Sequence, residues 1–178
     1  MHQDVTRILF TASEIAQVTA ELGARISADY AGKKLLVVAV LKGSFMFMAD
    51  LVRSISIDIE TDFIAVASYG AEAKSSGVVR IIKDLERLVE DCHVLLVEDI
   101  LDSGLTINYL RKYLRSRNPL SLETVALLIK EGKQEVPVDC KYRGFTCPDV
   151  FVVGYGLDYS ERYRNLPYIG ILNPAVYS

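Results

Sequence analysis

Residues 92–118 read CHVLLVEDILDSGLTINYLRKYLRSRN, and this segment constrains the fold more than any other stretch of the chain. The apolar run at 94–97 ends in two adjacent acids, Glu98 and Asp99. Asp102-Ser-Gly-Leu-Thr106 then leads into Ile107, Leu110 and Leu114, which recur at the three- and four-residue spacing of a helix face. The pattern is a buried strand, a short polar loop and a helix. Ser103, Gly104, Leu105 and Thr106 at a helix start suit an anion, because unpaired backbone N–H groups point outward there and the helix dipole adds partial positive charge. Gly104 lets the backbone turn sharply and approach a ligand.

Three carboxylates, those of Glu98, Asp99 and Asp102, crowd the same loop and would repel a bare phosphate. A sugar phosphate fits both halves, with its phosphate in the loop and its vicinal hydroxyls, together with Mg²⁺, facing the acids. Taken alone, Asp102-Ser103 before a helix is more often a cap than a ligand site. The Glu-Asp pair directly upstream reverses that weighting. No lysine follows Gly104 and the chain holds no G-x-G-x-x-G, so neither a P-loop nor a dinucleotide fingerprint is present.

The remainder alternates strand and helix. A helix capped by Thr11 or Ser13 is expected through Ile15, Val18, Leu22 and Ile26. Residues 35–41 (LLVVAVL) read as a central parallel strand, and Lys42-Gly43-Ser44 breaks it before a helix over 45–53. Residues 57–69 predict one long strand or two. The polar stretch 70–77 (GAEAKSSG) is either a hairpin tip or a mobile lid, with a strand resuming at 78–82. Further strands are expected at 122–129, 150–153 and 168–172. The prediction is a three-layer α/β domain covering 1–178, with a central, mostly parallel sheet, a small hood from the terminal segments and ligands at the C-terminal strand ends.

Bulk properties narrow the partners. A chain of 178 residues with 51% hydrophobic content can bury one substantial core. A net charge of −3 argues against a dominant nucleic-acid-binding face. Cys92, Cys140 and Cys147 form no C-x-x-C pair and read as reduced thiols of a cytosolic protein. No stretch reaches the roughly 18 apolar residues of a membrane span, so a cytoplasmic location without membrane or nucleic-acid partners is expected.

VEDILDSGLT resembles the phosphoribosyl-diphosphate (PRPP) signature of the type I phosphoribosyltransferases. LKGS at 41–44, LLIK at 127–130 and FVVGYGLDYSERYRNLPYIGIL at 151–172 resemble the hypoxanthine-guanine branch, in the expected order. The resemblance implies transfer of phosphoribose from PRPP to a 6-oxopurine, with Mg²⁺ as cofactor and a homodimer or homotetramer as the assembly. It places the PRPP ribose and phosphate on Glu98, Asp99, Asp102, Ser103, Gly104, Leu105 and Thr106, with Asp102 as the catalytic proton acceptor. Pyrophosphate falls to Lys42, Gly43 and Arg164, together with Ser68 and Tyr69 of a closing loop. The purine falls to Lys130, Phe151, Val152 and Asp158, and the metal to Glu98, Asp99 and Asp158. In that family the bond matching Leu41–Lys42 is often cis. Ser44 departs from the second glycine common among relatives, which would restrict the loop slightly. Two readings from other classes stand beside the enzyme: a phosphoribosyltransferase-like RNA-binding regulator of pyrimidine genes, which commonly carries tyrosine where Asp102 stands, and a sugar-phosphate-binding protein without catalysis.

Overall fold

The structure, a computed structural model, describes residues 1–68, 79–130 and 132–177. Its elements run β1 (Val5–Phe10), α1 (Ala12–Asp29), β2 (Leu35–Leu41), α2 (Phe45–Ser54), β3 (Ile59–Ser68), β4 (Val79–Lys83), β5 (His93–Leu101), α3 (Leu105–Arg115), β6 (Ser121–Lys130), β7 (Tyr142–Cys147), β8 (Val152–Val153) and β9 (Ile169–Leu172), followed by a 3₁₀ turn (Pro174–Val176). Six strands form one sheet in the order β4-β3-β2-β5-β6-β7, parallel except for β4. Both faces are covered, so β2 is buried along nearly its whole length, as its continuous apolar run predicts. Leu35, Val37, Ala39, Leu95 and Val97 point to the side of α1 and α2. Leu36, Val38, Val40, Val94 and Leu96 point to the side of α3.

From β2 the chain proceeds to β3 on one side, and β5 lies on the other. This reversal of winding opens a crevice between the C-terminal ends of β2 and β5, the place where doubly wound sheets bind ligands. Thr11 rather than Ser13 caps α1, in a reciprocal box with Glu14.

The termini make the expected hood, a three-stranded antiparallel sheet in the order β1-β9-β8. Three details differ from the sequence expectation. Residues 5–10 form a strand, β1, because the short apolar run finds a partner in β9. Residues 142–147 form the edge strand β7, which its irregular YRGFTC pattern hides. The strand expected over 150–153 shrinks to Val152–Val153. The described part of 57–69 holds a single strand, β3, and the stretch 69–77 lies outside the described residues. The three cysteines are free. Among the described residues, no helix is long and apolar enough to cross a membrane.

Candidate active site

Parallel register brings together residues that are distant in sequence. Leu101 pairs with Ile129, so Asp102 and Lys130, next along each strand, leave the sheet side by side. Lys130 Nζ donates to Asp102 Oδ2 at 3.1 Å. Lys130 is itself paired with Cys147 of β7, and Asp149 lies 4.0 Å from the same ammonium. The lysine side chain is largely buried while the Asp102 carboxylate is exposed toward the crevice.

The loop after β5 is shaped for an anion. Gly104 stands at the helix start with φ +82°, and no side chain caps α3. Ser103 Oγ reaches the Leu105 N–H only at 3.4 Å, and the Ser103 carbonyl accepts from the N–H groups of Glu135 and Val136. The loop is thus braced from outside, and its helix-start amides are left for a ligand rather than used in a cap. One cleft is lined by Glu98, Asp102, Ser103, Gly104 and Thr106. A larger cavity, lined by Leu101, Ile129, Val138, Cys140 and Arg143, contains none of the expected site residues.

Glu98 and Asp99 lie inside β5 rather than after it, because the strand continues to Leu101. Glu98 is buried and its Oε2 has no hydrogen-bond partner. Burial, reinforced by the neighbouring Asp99, pushes its carboxyl well above the usual range. Burial also raises Asp99 to about 6, against the hydrogen bond from the Ile100 N–H. Acids held in this state, one of them with an orphaned oxygen, would gain from a cation. Among the described residues, no three potential ligands cluster into a ready-made metal cage. That suits Mg²⁺, which typically takes one or two carboxylates together with substrate oxygens and waters.

The raised Asp99 carboxyl makes stability depend on pH. Well below pH 3.8 both folded and unfolded chains are protonated and the group costs nothing; between 3.8 and about 6 the unfolded chain ionises first and stability falls, and above about 6 the cost is constant. Such a shift corresponds to at most about 3 kcal/mol, and partial exposure reduces it to about 1–2 kcal/mol. Asp99→Asn, which keeps the acceptor for the Ile100 N–H, is therefore expected to raise the melting temperature at pH 7.5 by about 3–6 °C. Calorimetry at pH 4.5 should show a smaller gain. An equal gain at both pH values would mean that carboxylate burial is not the cause.

Across the crevice, the Leu41–Lys42 peptide is cis. A Cβ on Gly43 would lie 1.7 Å from Asp99 Oδ2, and one on Gly156 2.0 Å from the Gly43 carbonyl oxygen. Glycine at both positions lets the 42–43 loop, β5 and the 154–164 segment touch. Ser44 causes no conflict, since its buried hydroxyl donates to the Val40 carbonyl at 2.6 Å. Arg164 donates to the Gly156 carbonyl at 2.7 Å and pairs with Asp158 at 2.9 Å, while its buried Nε has no partner. Glu161, to which the sequence motifs assign no role, bridges Lys42 at 3.0 Å and Arg164 at 3.3 Å. Its charge, opposite to that of its neighbours, is visible in SERYR, but the fold alone brings it to Lys42.

Phe151 is exposed at the hood's edge, beside Tyr159 and Tyr177. Val152 is buried in β8, with its backbone paired to Ile171. β3 ends at Ser68, whose side chain, like Tyr69, lies outside the described residues.

The phosphoribosyl transferase domain family matches residues 6–160. The hypoxanthine-guanine phosphoribosyltransferase of Staphylococcus aureus (strain Mu50) is 48% identical over 178 residues, covering 100% of this chain and 99% of that protein. That of Bacillus subtilis (strain 168) is 48% identical over 177 residues, covering 99% and 98%. Among solved structures, a hypoxanthine phosphoribosyltransferase from Staphylococcus aureus superposes with a TM-score of 0.96 at 48% identity, over 100% of this chain and 97% of that one. A hypoxanthine phosphoribosyltransferase from Trypanosoma cruzi in a ternary substrates complex gives 0.93 at 42%, over 99% and 100%. By its fold, by the match over residues 6–160 and by relatives alike over their whole length, the chain belongs to the phosphoribosyltransferase family.

Proposed function

We propose that the protein transfers the 5-phosphoribosyl group of PRPP to hypoxanthine or guanine, giving IMP or GMP and pyrophosphate in purine salvage. The observation that carries this reading is the Lys130–Asp102 pair at 3.1 Å, set where β5 and β6 end over an uncapped helix start. A donor for a 6-oxo group and an acceptor for a ring-nitrogen proton then stand together beside an anion loop. The amides and hydroxyls of Ser103, Gly104, Leu105 and Thr106 receive the 5-phosphate. Glu98 and Asp99 face the ribose hydroxyls and position C1. A purine nitrogen attacks C1 as the bond to pyrophosphate breaks, and Asp102 takes the proton from N7. Lys42, the Gly43 backbone and Arg164 hold the departing pyrophosphate by preorganised charge. When bound, Mg²⁺ supplies further neutralisation there; Glu98 and Asp99 on the ribose side and Asp158 on the pyrophosphate side are the carboxylates that would hold it, completed by substrate oxygens and waters. Phe151 stacks on the base and the Val152 backbone meets its edge. Lys130 favours 6-oxopurines over adenine, whose amino group would offer a donor to a donor.

The enzyme reading is preferred to the RNA-binding regulator, because Asp102 stands where the regulator commonly carries tyrosine and the full-length relatives are catalysts. A spectrophotometric assay of PRPP-dependent nucleotide formation with hypoxanthine, guanine, xanthine and adenine tests it. Turnover with hypoxanthine or guanine and none with adenine is expected; absence of turnover with every base would leave only the binding reading.

Glu161 sets a further expectation. It pairs with both Lys42 and Arg164, the cations proposed to hold pyrophosphate, and so would compete with that anion. The Lys42–Glu161 contact is exposed, and such pairs contribute about 0–1 kcal/mol, so the competition is mild. Glu161→Gln should lower the Kd of pyrophosphate about two- to threefold. Weaker binding in that variant would show instead that Glu161 holds the two cations in place.

A further inference from the structure

We propose that Tyr177 is a positioning residue for the purine, acting through Phe151; the inference rests on the reading that Phe151 stacks on the base. The Phe151 and Tyr177 rings are stacked, with centroids 5.1 Å apart and planes at 29°. Tyr159 meets Phe151 at 5.6 Å and 88°, and Tyr177 at 6.2 Å and 59°. These three separations describe a nearly equilateral triangle. Tyr159 therefore lies beside the stacked pair, not across Phe151 from Tyr177, and the opposite face of the Phe151 ring is left uncovered by either. Phe151 keeps 38% of its surface exposed, so the ring is backed by Tyr177 and still within reach of a flat ligand.

The chain's route to this contact is fixed at several points. The Leu172 N–H donates to the Phe151 carbonyl at 2.9 Å, so β9 passes beside the backbone of the stacking residue. Asn173 then reverses the chain: its N–H donates to the Asp4 carbonyl at 2.8 Å and its Oδ1 accepts from the Ala175 N–H at 3.1 Å. The Tyr177 N–H donates to the Pro174 carbonyl at 3.1 Å, closing the 3₁₀ turn. Val176 packs against the hood cluster of Val5, Val153, Tyr163 and Leu172. The turn is thus tied to both ends of the chain, and it brings Tyr177 back onto the ring of a residue 26 positions earlier. An exposed phenylalanine without such backing would sample several rotamers and lose that freedom on binding a base. With one face already stacked, it presents the other preorganised.

The test is steady-state kinetics with hypoxanthine and PRPP varied separately, for Tyr177→Ala, Tyr177→Leu, Tyr177→Phe and Phe151→Ala. Tyr177→Ala should raise KM for hypoxanthine about three- to tenfold, the range expected for one aromatic pair, with KM for PRPP within about twofold of wild type. Tyr177→Leu fills the same space without a ring and should behave like alanine, which keeps the test decisive if alanine loosens the hood. Tyr177→Phe should restore the wild-type value. An unchanged KM for hypoxanthine in the alanine and leucine variants, alongside a raised one in Phe151→Ala, would overturn the role of Tyr177 and leave the stacking role intact. A lowered KM would show that Tyr177 competes with the base for Phe151, and an equal rise for PRPP would reduce it to a structural part of the hood. An unchanged KM in Phe151→Ala would remove the stacking reading and this inference with it.

Discussion

Asp102→Asn is expected to bind PRPP as the wild type does and to turn over about 10²–10⁴-fold more slowly, the usual worth of a positioned proton acceptor. The amide has the shape of the carboxylate and keeps an oxygen for Lys130 Nζ, now 3.1 Å from Asp102 Oδ2. The loop is braced through the Ser103 carbonyl and shaped by Gly104, so neither support depends on the Asp102 side chain. What asparagine lacks is the capacity to take a proton, the role proposed for Asp102 at N7 of the base. Single-turnover rates, with PRPP affinity measured by calorimetry, separate the two roles. Turnover within twofold of wild type with binding intact would remove Asp102 from general-base duty. Loss of PRPP binding would place it in the phosphate loop instead.

For Lys130→Ala, kcat/KM for hypoxanthine and guanine should fall roughly ten- to a hundredfold, because removing a charged hydrogen-bond partner typically costs about 1.5–3 kcal/mol. Affinity for PRPP should stay nearly constant. Lys130 points along the paired ends of β5 and β6 toward Asp102 and Asp149, whereas Lys42 and Arg164, the cations proposed to hold pyrophosphate, pair with Glu161 and Asp158. The variant also deprives Asp102 of its partner, so combining it with Asp102→Asn should cost less than the two losses added. Full additivity would indicate that the ion pair is incidental. A loss of PRPP affinity equal to the loss for the base would turn Lys130 toward the phosphates.

The chain carries its three-layer architecture openly where apolar patterning is strong. LLVVAVL and HVLLV read as strands buried on both faces, and the i, i+3, i+4 spacings of 15–26 and 107–114 read as helices packed on them. The candidate anion loop is legible because Asp-Ser-Gly-Leu-Thr between a strand and a helix, which alone would read as a helix cap, directly follows the Glu98-Asp99 pair. The resemblance of four segments then supplies the roles proposed for Lys42, Lys130, Phe151, Asp158 and Arg164, which spacing alone would leave as surface charges, a turn cap and a core aromatic. β1 and β7 escape because each is stabilised by its neighbour rather than by its own pattern: Val5 to Phe10 pairs with β9 from the far end of the chain, and Tyr142 to Cys147 borrows its register from β6.

Local sequence determined the helices, the strongly patterned strands, the loop after β5 and the residue types of the candidate site, since periodicity and turn chemistry act over a few residues. Only the tertiary structure decided which of those residues meet. The parallel register of β5 and β6 joins Lys130 to Asp102 across 28 positions. The approach of Gly156 to Gly43 brings Glu161 between Lys42 and Arg164, and the closing turn after β9 lays Tyr177 on Phe151. Each of these contacts arises from strand pairing or close backbone approach between distant segments. Such contacts form because the whole sheet and hood bury their apolar faces together, and no short window of sequence contains that cause.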